Sequence, residues 1–374
     1  MITNSTNEDI LITSYDLLKR DIEHYQQLDF FCEIIDEAQF IKNQNTQAAK
    51  SVKMITAATK FALTGTPMEN RLSELWSIFD YLMPGFLFGY KQFKENVEEP
   101  IVERQDEAAM LQLRRFITPF ILRRLKKDVL KDLPDKLEEV VYAKMLAEQQ
   151  ELYDASVQKM KLQLAKQTDE EFRENKLQLL AELTRLRQIC CNPLLLYENY
   201  EGAAAKVEVC MELLQNAIEG GHKVLLFSQF TSMLELLAKE AEKNGISFYK
   251  LTGQTSKEDR MRMVERFNKD DTQVFLISLK AGGTGLNLTS ADIVIHFDPW
   301  WNVAAQNQAT DRTHRIGQKN VVTVYKLIAK GTIEEKIVKL QEMKQELADQ
   351  VLSGENMGKA TLSKEELLEL LGGE

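Results

Sequence analysis

Four short stretches of this sequence carry residue types that can act on a phosphate group. CEIIDEAQ (32–39) ends an apolar run in two adjacent carboxylates, Asp36 and Glu37. A carboxylate at the mouth of a parallel sheet can hold Mg²⁺ on nucleotide phosphates, and a neighbouring Glu can orient or deprotonate an attacking water. Two acids at a strand end can equally be a turn or a helix cap. LTGTPMEN (63–70) follows with Thr64, Gly65 and Thr66, which offer compact hydroxyls and backbone donors beside the acids. SLKAGGTGLNL (278–288) sets Gly282, Gly283 and Gly285 just after a strand, more glycine than a plain turn needs. Without Cβ atoms, such a loop lets N–H groups approach an anion closely. QATDRTHRIGQ (308–318) presents Arg312 and Arg315 three apart, a spacing that puts both on one helical turn. Such a pair can clamp a γ-phosphate as its charge redistributes, whereas isolated arginines at the surface commonly form ion pairs.

The elements that must position these groups form two α/β regions separated by helices. In the first, ILITSY (10–15), CEIIDEA (32–38) and FALTGTP (61–67) read as short parallel strands ending in polar or glycine-containing loops. LSELWSIFDYL (72–82) is an amphipathic helix stopped by Pro84 and Gly85. From about 106 to 190 the pattern is helical nearly throughout, and Leu177, Leu180, Leu183 and Leu186 form a stripe suited to packing between helices. Strands then alternate with helices: KVLLFSQF (223–230), FYKL (248–251), VFLISL (274–279), IVIHFD (293–298) and VTVYKLI (322–328). A helix through Leu234, Leu237 and Ala241 stops near Gly245, and Thr255 with Glu258 forms a capping box for the next. This alternation predicts a doubly wound parallel sheet whose site lies at the strands' carboxyl edge.

A chain of 374 residues with 44% hydrophobic and 28% charged residues has the length for about two or three domains. Four cysteines, two of them adjacent at Cys190 and Cys191, fit neither a disulfide framework nor paired metal-ligand spacing and read as reduced thiols. No apolar run approaches about 18 residues, so no membrane is expected as a partner. The net charge of −10 argues against indiscriminate nucleic-acid binding. RRFITPFILRRLKKDVLK (114–131) nevertheless carries seven basic residues against the single acid Asp128, which suits a confined groove, a structural arm or a solvated helix face.

IIDEAQFIKN, ALTGTPMENRLSELWSIFDYL, PFILRRLKKDVLKDLP, LLFSQFTSML, SLKAGGTGLNLTSADIVIHFDPWWN and QATDRTHRIGQ together resemble the successive motifs of the Swi/Snf family of helicase-like ATPases, in helicase superfamily two. The resemblance runs through nearly the whole chain. It implies an α/β fold of RecA-like parallel doubly wound sheets, a partial first lobe and a complete second lobe, with an inserted helical subdomain. The implied division is 1–75 for the end of the first lobe, 76–200 for helical insertions and linker, 201–335 for the second lobe, and 336–374 for a brace-like helix and tail. The family's activity is ATP hydrolysis with Mg²⁺ in an interlobe cleft, coupled to movement along double-stranded DNA and remodelling of protein–DNA complexes. Residue by residue, Asp36 resembles the Mg²⁺-ATP ligand and Glu37 the acid that positions water. Thr64, Gly65 and Thr66 match the coupling motif, Gly283 and Gly285 the second-lobe loop, Arg312 and Arg315 the arginine fingers, and Gln308 a support of the cleft. Ser228, Gln229, Ser278, Lys280 and Trp301 are the implied DNA contacts.

Two departures stand out. Val303 follows DPWWN where the family commonly has proline, which is expected to alter a turn. The sequence contains no GxxxxGK[ST] phosphate cradle, since GENMGKA (354–360) has the wrong spacing and no hydroxyl after Lys359. The expectation is therefore a C-terminal portion of such an enzyme, inactive by itself, needing the cradle segment in cis or in trans. It would be intracellular: cytoplasmic or nucleoid-associated in a bacterium, nuclear in a eukaryote. A DNA- or protein-binding module without turnover, and a relative directed at RNA polymerase, are the other readings. Residues 200–350 are expected to fold stably and 1–70 to be the weaker part.

Overall fold

The computed structural model describes residues 10–342, apart from 66–71, 105, 125, 131, 169–170, 172–173 and 283–284. Contacts divide these residues into two units, one reaching Leu122 and the other spanning Arg123–Glu342. Among the described residues no helix is long and apolar enough to cross a membrane.

The second unit is built on six parallel strands: β3 (Lys136–Ala143), β4 (Val224–Ser228), β5 (Phe248–Leu251), β6 (Val274–Ser278), β7 (Ile293–His296) and β8 (Val322–Ala329). Their order across the sheet is β3-β8-β7-β4-β6-β5. Strands β4, β6 and β7 are buried at every residue, because a parallel sheet wound with helices on both faces exposes neither. The two faces separate by alternation. Val224 and Leu226 join one apolar cluster with Leu234, Leu237 and Ala241, while Leu225 and Phe227 join another with Phe267 and Phe275. The helix Thr231–Lys243 ends as expected, with Gly245 at φ 67.

Strand β3 corrects the expectation of helix through this part of the chain. It pairs with β8 over eight residues, from Lys136↔Val322 to Ala143↔Ala329. Its side chains are mostly exposed, as an edge strand allows, and charged residues there blunt pairing with another chain. The helices Ala147–Lys166 and Lys176–Cys191 pack through Met160, Leu164, Leu183, Leu186 and Ile189, while Leu180 faces solvent. Ser256, not Thr255, caps the helix Lys257–Phe267 by accepting from the Asp259 amide. The thiols of Cys190, Cys191 and Cys210 are buried and free, and burial raises their pKa values, that of Cys210 to about 12.

The first unit contains a two-stranded parallel sheet, β1 (Phe30–Ile35) and β2 (Ala57–Ala62), beside the helices Tyr15–Arg20, Gln47–Lys53 and Leu72–Leu82. ILITSY is not a strand: residues 10–14 form no ladder, and Ser14 caps the helix Tyr15–Arg20 by accepting from the Leu17 amide. An apolar run needs a neighbouring strand to pair with, and among the described residues none lies beside it. Ile10, Ile12, Phe31 and Ile34 are accordingly exposed. The helix Leu72–Leu82 has its expected bounds and buries Leu72, Leu75, Trp76 and Phe79.

Candidate functional site

Asp36 and Glu37 lie just beyond the carboxyl end of β1, and Thr64 and Gly65 lie beyond that of β2. The register Ile35↔Ala62 brings these two strand ends side by side. Leu63 donates to the Ile35 carbonyl at 2.8 Å and Ala38 donates to the Leu63 carbonyl at 2.9 Å, so the ladder continues around the acids. Glu37 sits between those bonds in the left-handed region, φ 52 and ψ 52, a conformation uncommon for a residue with a side chain and one that concentrates at functional sites. Asp36 is exposed and its Oδ1 accepts from the Glu37 amide at 2.8 Å.

A side-chain relay joins the two strand ends. Gln39 Nε2 donates to Glu37 Oε2, and Thr64 Oγ1 donates to Gln39 Oε1 at 3.0 Å. The Gln39 amide therefore fixes one oxygen of the half-buried Glu37 carboxylate while reporting on the Thr64 hydroxyl. Sequence reading passed over Gln39 as a site residue, although it stands in the same short stretch as the acids. Thr66 lies outside the described residues.

In the second unit the groups beyond the strand ends are organised by Asp298, which the sequence reading did not single out. Ser228 Oγ donates to Asp298 Oδ1 at 2.6 Å, and the Gln229 amide donates to both carboxylate oxygens at 3.1 Å. Arg187 completes the cluster, with Nη2 3.5 Å from Asp298 Oδ2 and donating to the Pro299 carbonyl; its guanidinium lies 5.4 Å from the Phe230 ring. Arg187 and Asp298 are both buried. The structure thus turns the Ser228 hydroxyl inward, and Ser278 is also buried, its Oγ accepting from the Ala281 amide. Among the candidate DNA contacts Lys280 is exposed, and Gln229 and Trp301 are half-buried. Trp301 packs against the paired helices Ala147–Lys166 and Lys176–Cys191.

Gly285 has φ 47, and a Cβ there would meet nothing within 4 Å, so conformation rather than crowding calls for glycine. Gly283 lies outside the described residues. The helix Val303–Thr310 includes the half-buried Gln308 and ends before the arginines, which occupy the turns that follow rather than a helical turn. The Leu288 amide donates to the Arg312 carbonyl at 3.0 Å and Arg315 Nη1 donates to the Leu286 carbonyl at 3.3 Å, both on the chain's return toward β7 and β8. The crossover must bring the chain back to begin β8 parallel to β7, and the motif rides on that return. Arg312 is buried and Arg315 exposed. Lys126 from the basic stretch pairs with Asp311 at 2.6 Å and donates to the His314 carbonyl.

A parallel sheet wound on both faces, with polar side chains gathered around the carboxyl ends of its strands, defines an α/β protein of the class that places ligands at that edge. The chain belongs to the SNF2-related family of SWI2/SNF2-type ATP-dependent helicases. Residues 3–195 match the SNF2-related domain and residues 205–317 the helicase conserved C-terminal domain. An uncharacterized ATP-dependent helicase of Mycoplasma pneumoniae is 41% identical over 369 residues, 98% of this chain and 35% of that protein. The TATA-binding protein-associated factor MOT1 of Saccharomyces cerevisiae is 34% identical over 423 residues, 98% of this chain and 23% of that protein. The Sulfolobus solfataricus SWI2/SNF2 ATPase core in complex with double-stranded DNA has a TM-score of 0.54 at 37% identity, over 97% of this chain and 77% of that one. The chain spans about a third or less of the length of these two curated relatives.

Proposed function

We propose that this chain supplies the water-positioning acids and the phosphate-facing arginines of a DNA-dependent ATPase that moves along double-stranded DNA and remodels DNA-bound protein complexes. The observation that carries this reading is the Glu37–Gln39–Thr64 relay beside Asp36, a carboxylate held in a left-handed turn at a strand end. The donor set suits Mg²⁺-ATP. Among the described residues no cluster of three or more His, Cys, Asp or Glu is arranged to hold a metal, whereas a single exposed carboxylate fits an ion carried on nucleotide phosphates. When bound, Mg²⁺ would neutralise charge on the phosphates, with Asp36 as its protein ligand. Glu37 orients the attacking water, and Gln39 keeps its carboxylate from rotating. Exposed Arg315 and buried Arg312 are both assigned to the phosphates, as the resemblance to the family implies.

A second reading, a DNA- or protein-binding module without turnover, is favoured by the absence of GxxxxGK[ST] from the sequence. The test compares ATP hydrolysis, with and without double-stranded DNA, by this chain and by the chain joined to an N-terminal segment bearing that cradle. DNA-stimulated hydrolysis by the joined form alone, abolished by Arg315→Ala, is the expected result. Full activity of the Arg315→Ala form would overturn the motor reading.

A further inference from the structure

The peptide between Asp36 and Glu37 has both of its polar atoms taken. Its N–H donates to the Asp36 side chain, and its carbonyl accepts from the Tyr15 hydroxyl at 2.7 Å. Strand β1 ends at Ile35, and the neighbouring ladder bonds use Ile35, Leu63 and Ala38, so this carbonyl receives no ladder partner. Tyr15 reaches it from the first turn of the helix Tyr15–Arg20, which Ser14 caps and Leu18 anchors in the apolar cluster of Ile35, Ala38 and Ile41. The Tyr15 ring also packs on Phe40, with centroids 5.4 Å apart, so the segment carrying the acids is gripped on both sides of Glu37.

We infer that Tyr15 is a positioning residue: its hydroxyl locks the plane of the Asp36–Glu37 peptide and thereby holds Glu37 in the left-handed conformation that aims its carboxylate. A peptide plane can rotate by changing ψ of one residue and φ of the next. Here the rotation would have to break the hydrogen bonds at both ends. The released Glu37 would relax toward the right-handed region that residues with side chains prefer. The inference rests on the reading of Glu37 as the acid that positions water, and its test separates the two.

Tyr15→Phe keeps the ring on Phe40 and removes only the hydroxyl. Hydrogen exchange of a peptide covering 32–41 should accelerate about three- to tenfold, the loss of one hydrogen bond, while exchange across the helix Gln47–Lys53 stays unchanged. Unchanged exchange over 32–41, or acceleration across the whole unit, would overturn the inference. In the chain joined to a phosphate-cradle segment, kcat for ATP should fall by a similar factor with KM unchanged. A raised KM at unchanged kcat would also overturn it. Failure of the unsubstituted joined form to hydrolyse ATP would count against the hydrolytic reading alone, because the exchange measurement still decides the role of Tyr15.

Discussion

Replacing Asp298 by Ala tests the cluster that holds the second unit's strand ends in place. The substitution strips Arg187 of its ion partner at 3.5 Å and leaves the Ser228 hydroxyl and the Gln229 amide without their acceptor. At that separation an effective dielectric of about 20 gives a Coulomb attraction of about 5 kcal/mol. Desolvation of both groups offsets much of this in the intact pair, but removing one partner leaves a buried charge uncompensated, at a cost of about 3–5 kcal/mol. With a urea dependence of about 2 kcal/mol per molar, the midpoint of the second unit should drop by about 1.5–2.5 M. Urea titration followed by hydrogen exchange, read separately over Val224–Ser228 and over Phe30–Ile35, assigns the loss to a unit. Pairing the change with Arg187→Met should recover about half or more of the loss, because no unpaired charge then remains. A midpoint shift below about 0.5 M in Val224–Ser228, or an equal shift in both units, would refute the reasoning.

Three further outcomes follow from the same geometry. His296 is held neutral: burial, with Lys326 and Lys136 adding to it against Glu138, pushes its pKa down to about 3, and its Nε2 contacts Thr310 Oγ1 at 2.9 Å. The unfolded chain then binds a proton that the folded chain does not, so stability present above about pH 6.5 is lost as pH falls toward 3. By pH 4.5 the stability lost through this residue is about 2–3 kcal/mol, and His296→Gln should flatten the slope of urea midpoint against pH between 4.5 and 7.5. The fully buried pair Lys206–Glu334, at 2.9 Å, should make Glu334→Gln costly by about 3–5 kcal/mol in urea titration, with Lys206→Met in the same chain restoring much of it. Gln39→Leu breaks the link between Glu37 and Thr64 and should lower kcat about tenfold in the joined chain, leaving the urea midpoint of the first unit within about 0.5 M; an unchanged kcat would remove the relay from the account.

The second unit was legible because a doubly covered parallel strand is buried at every residue, and VLLFS, VFLIS and IVIH, apolar up to their last positions, announce themselves by that run. Strand β3 was hidden by the same rule. KLEEVVYA lies at an edge, carries charge, and forms a strand because eight residues of β8 are there to pair with it. ILITSY failed in the opposite sense, as an apolar run without a partner, and the Ser14 cap was the local signal against it. The acids, the threonine motif and the arginines were found by residue type, but type does not give connection. Gln39, Tyr15 and Asp298 act through hydrogen bonds to residues 21 to 70 positions away or through a single turn, and only the folded chain displays those links. The arginine pair was read onto a helix because spacing of three suits one. The helix ends at Thr310, and the return to β8 sets where Arg312 and Arg315 lie.

The central claim is that Glu37 positions water for ATP hydrolysis, and Glu37→Gln tests it most directly. The variant keeps the shape of the side chain and a carbonyl oxygen for Gln39 to donate to, and removes the carboxylate. In the chain joined to a phosphate-cradle segment, DNA-stimulated ATP turnover should fall about 10²- to 10⁴-fold with nucleotide binding retained. Turnover by Glu37→Gln within about twofold of the unsubstituted chain would contradict the account.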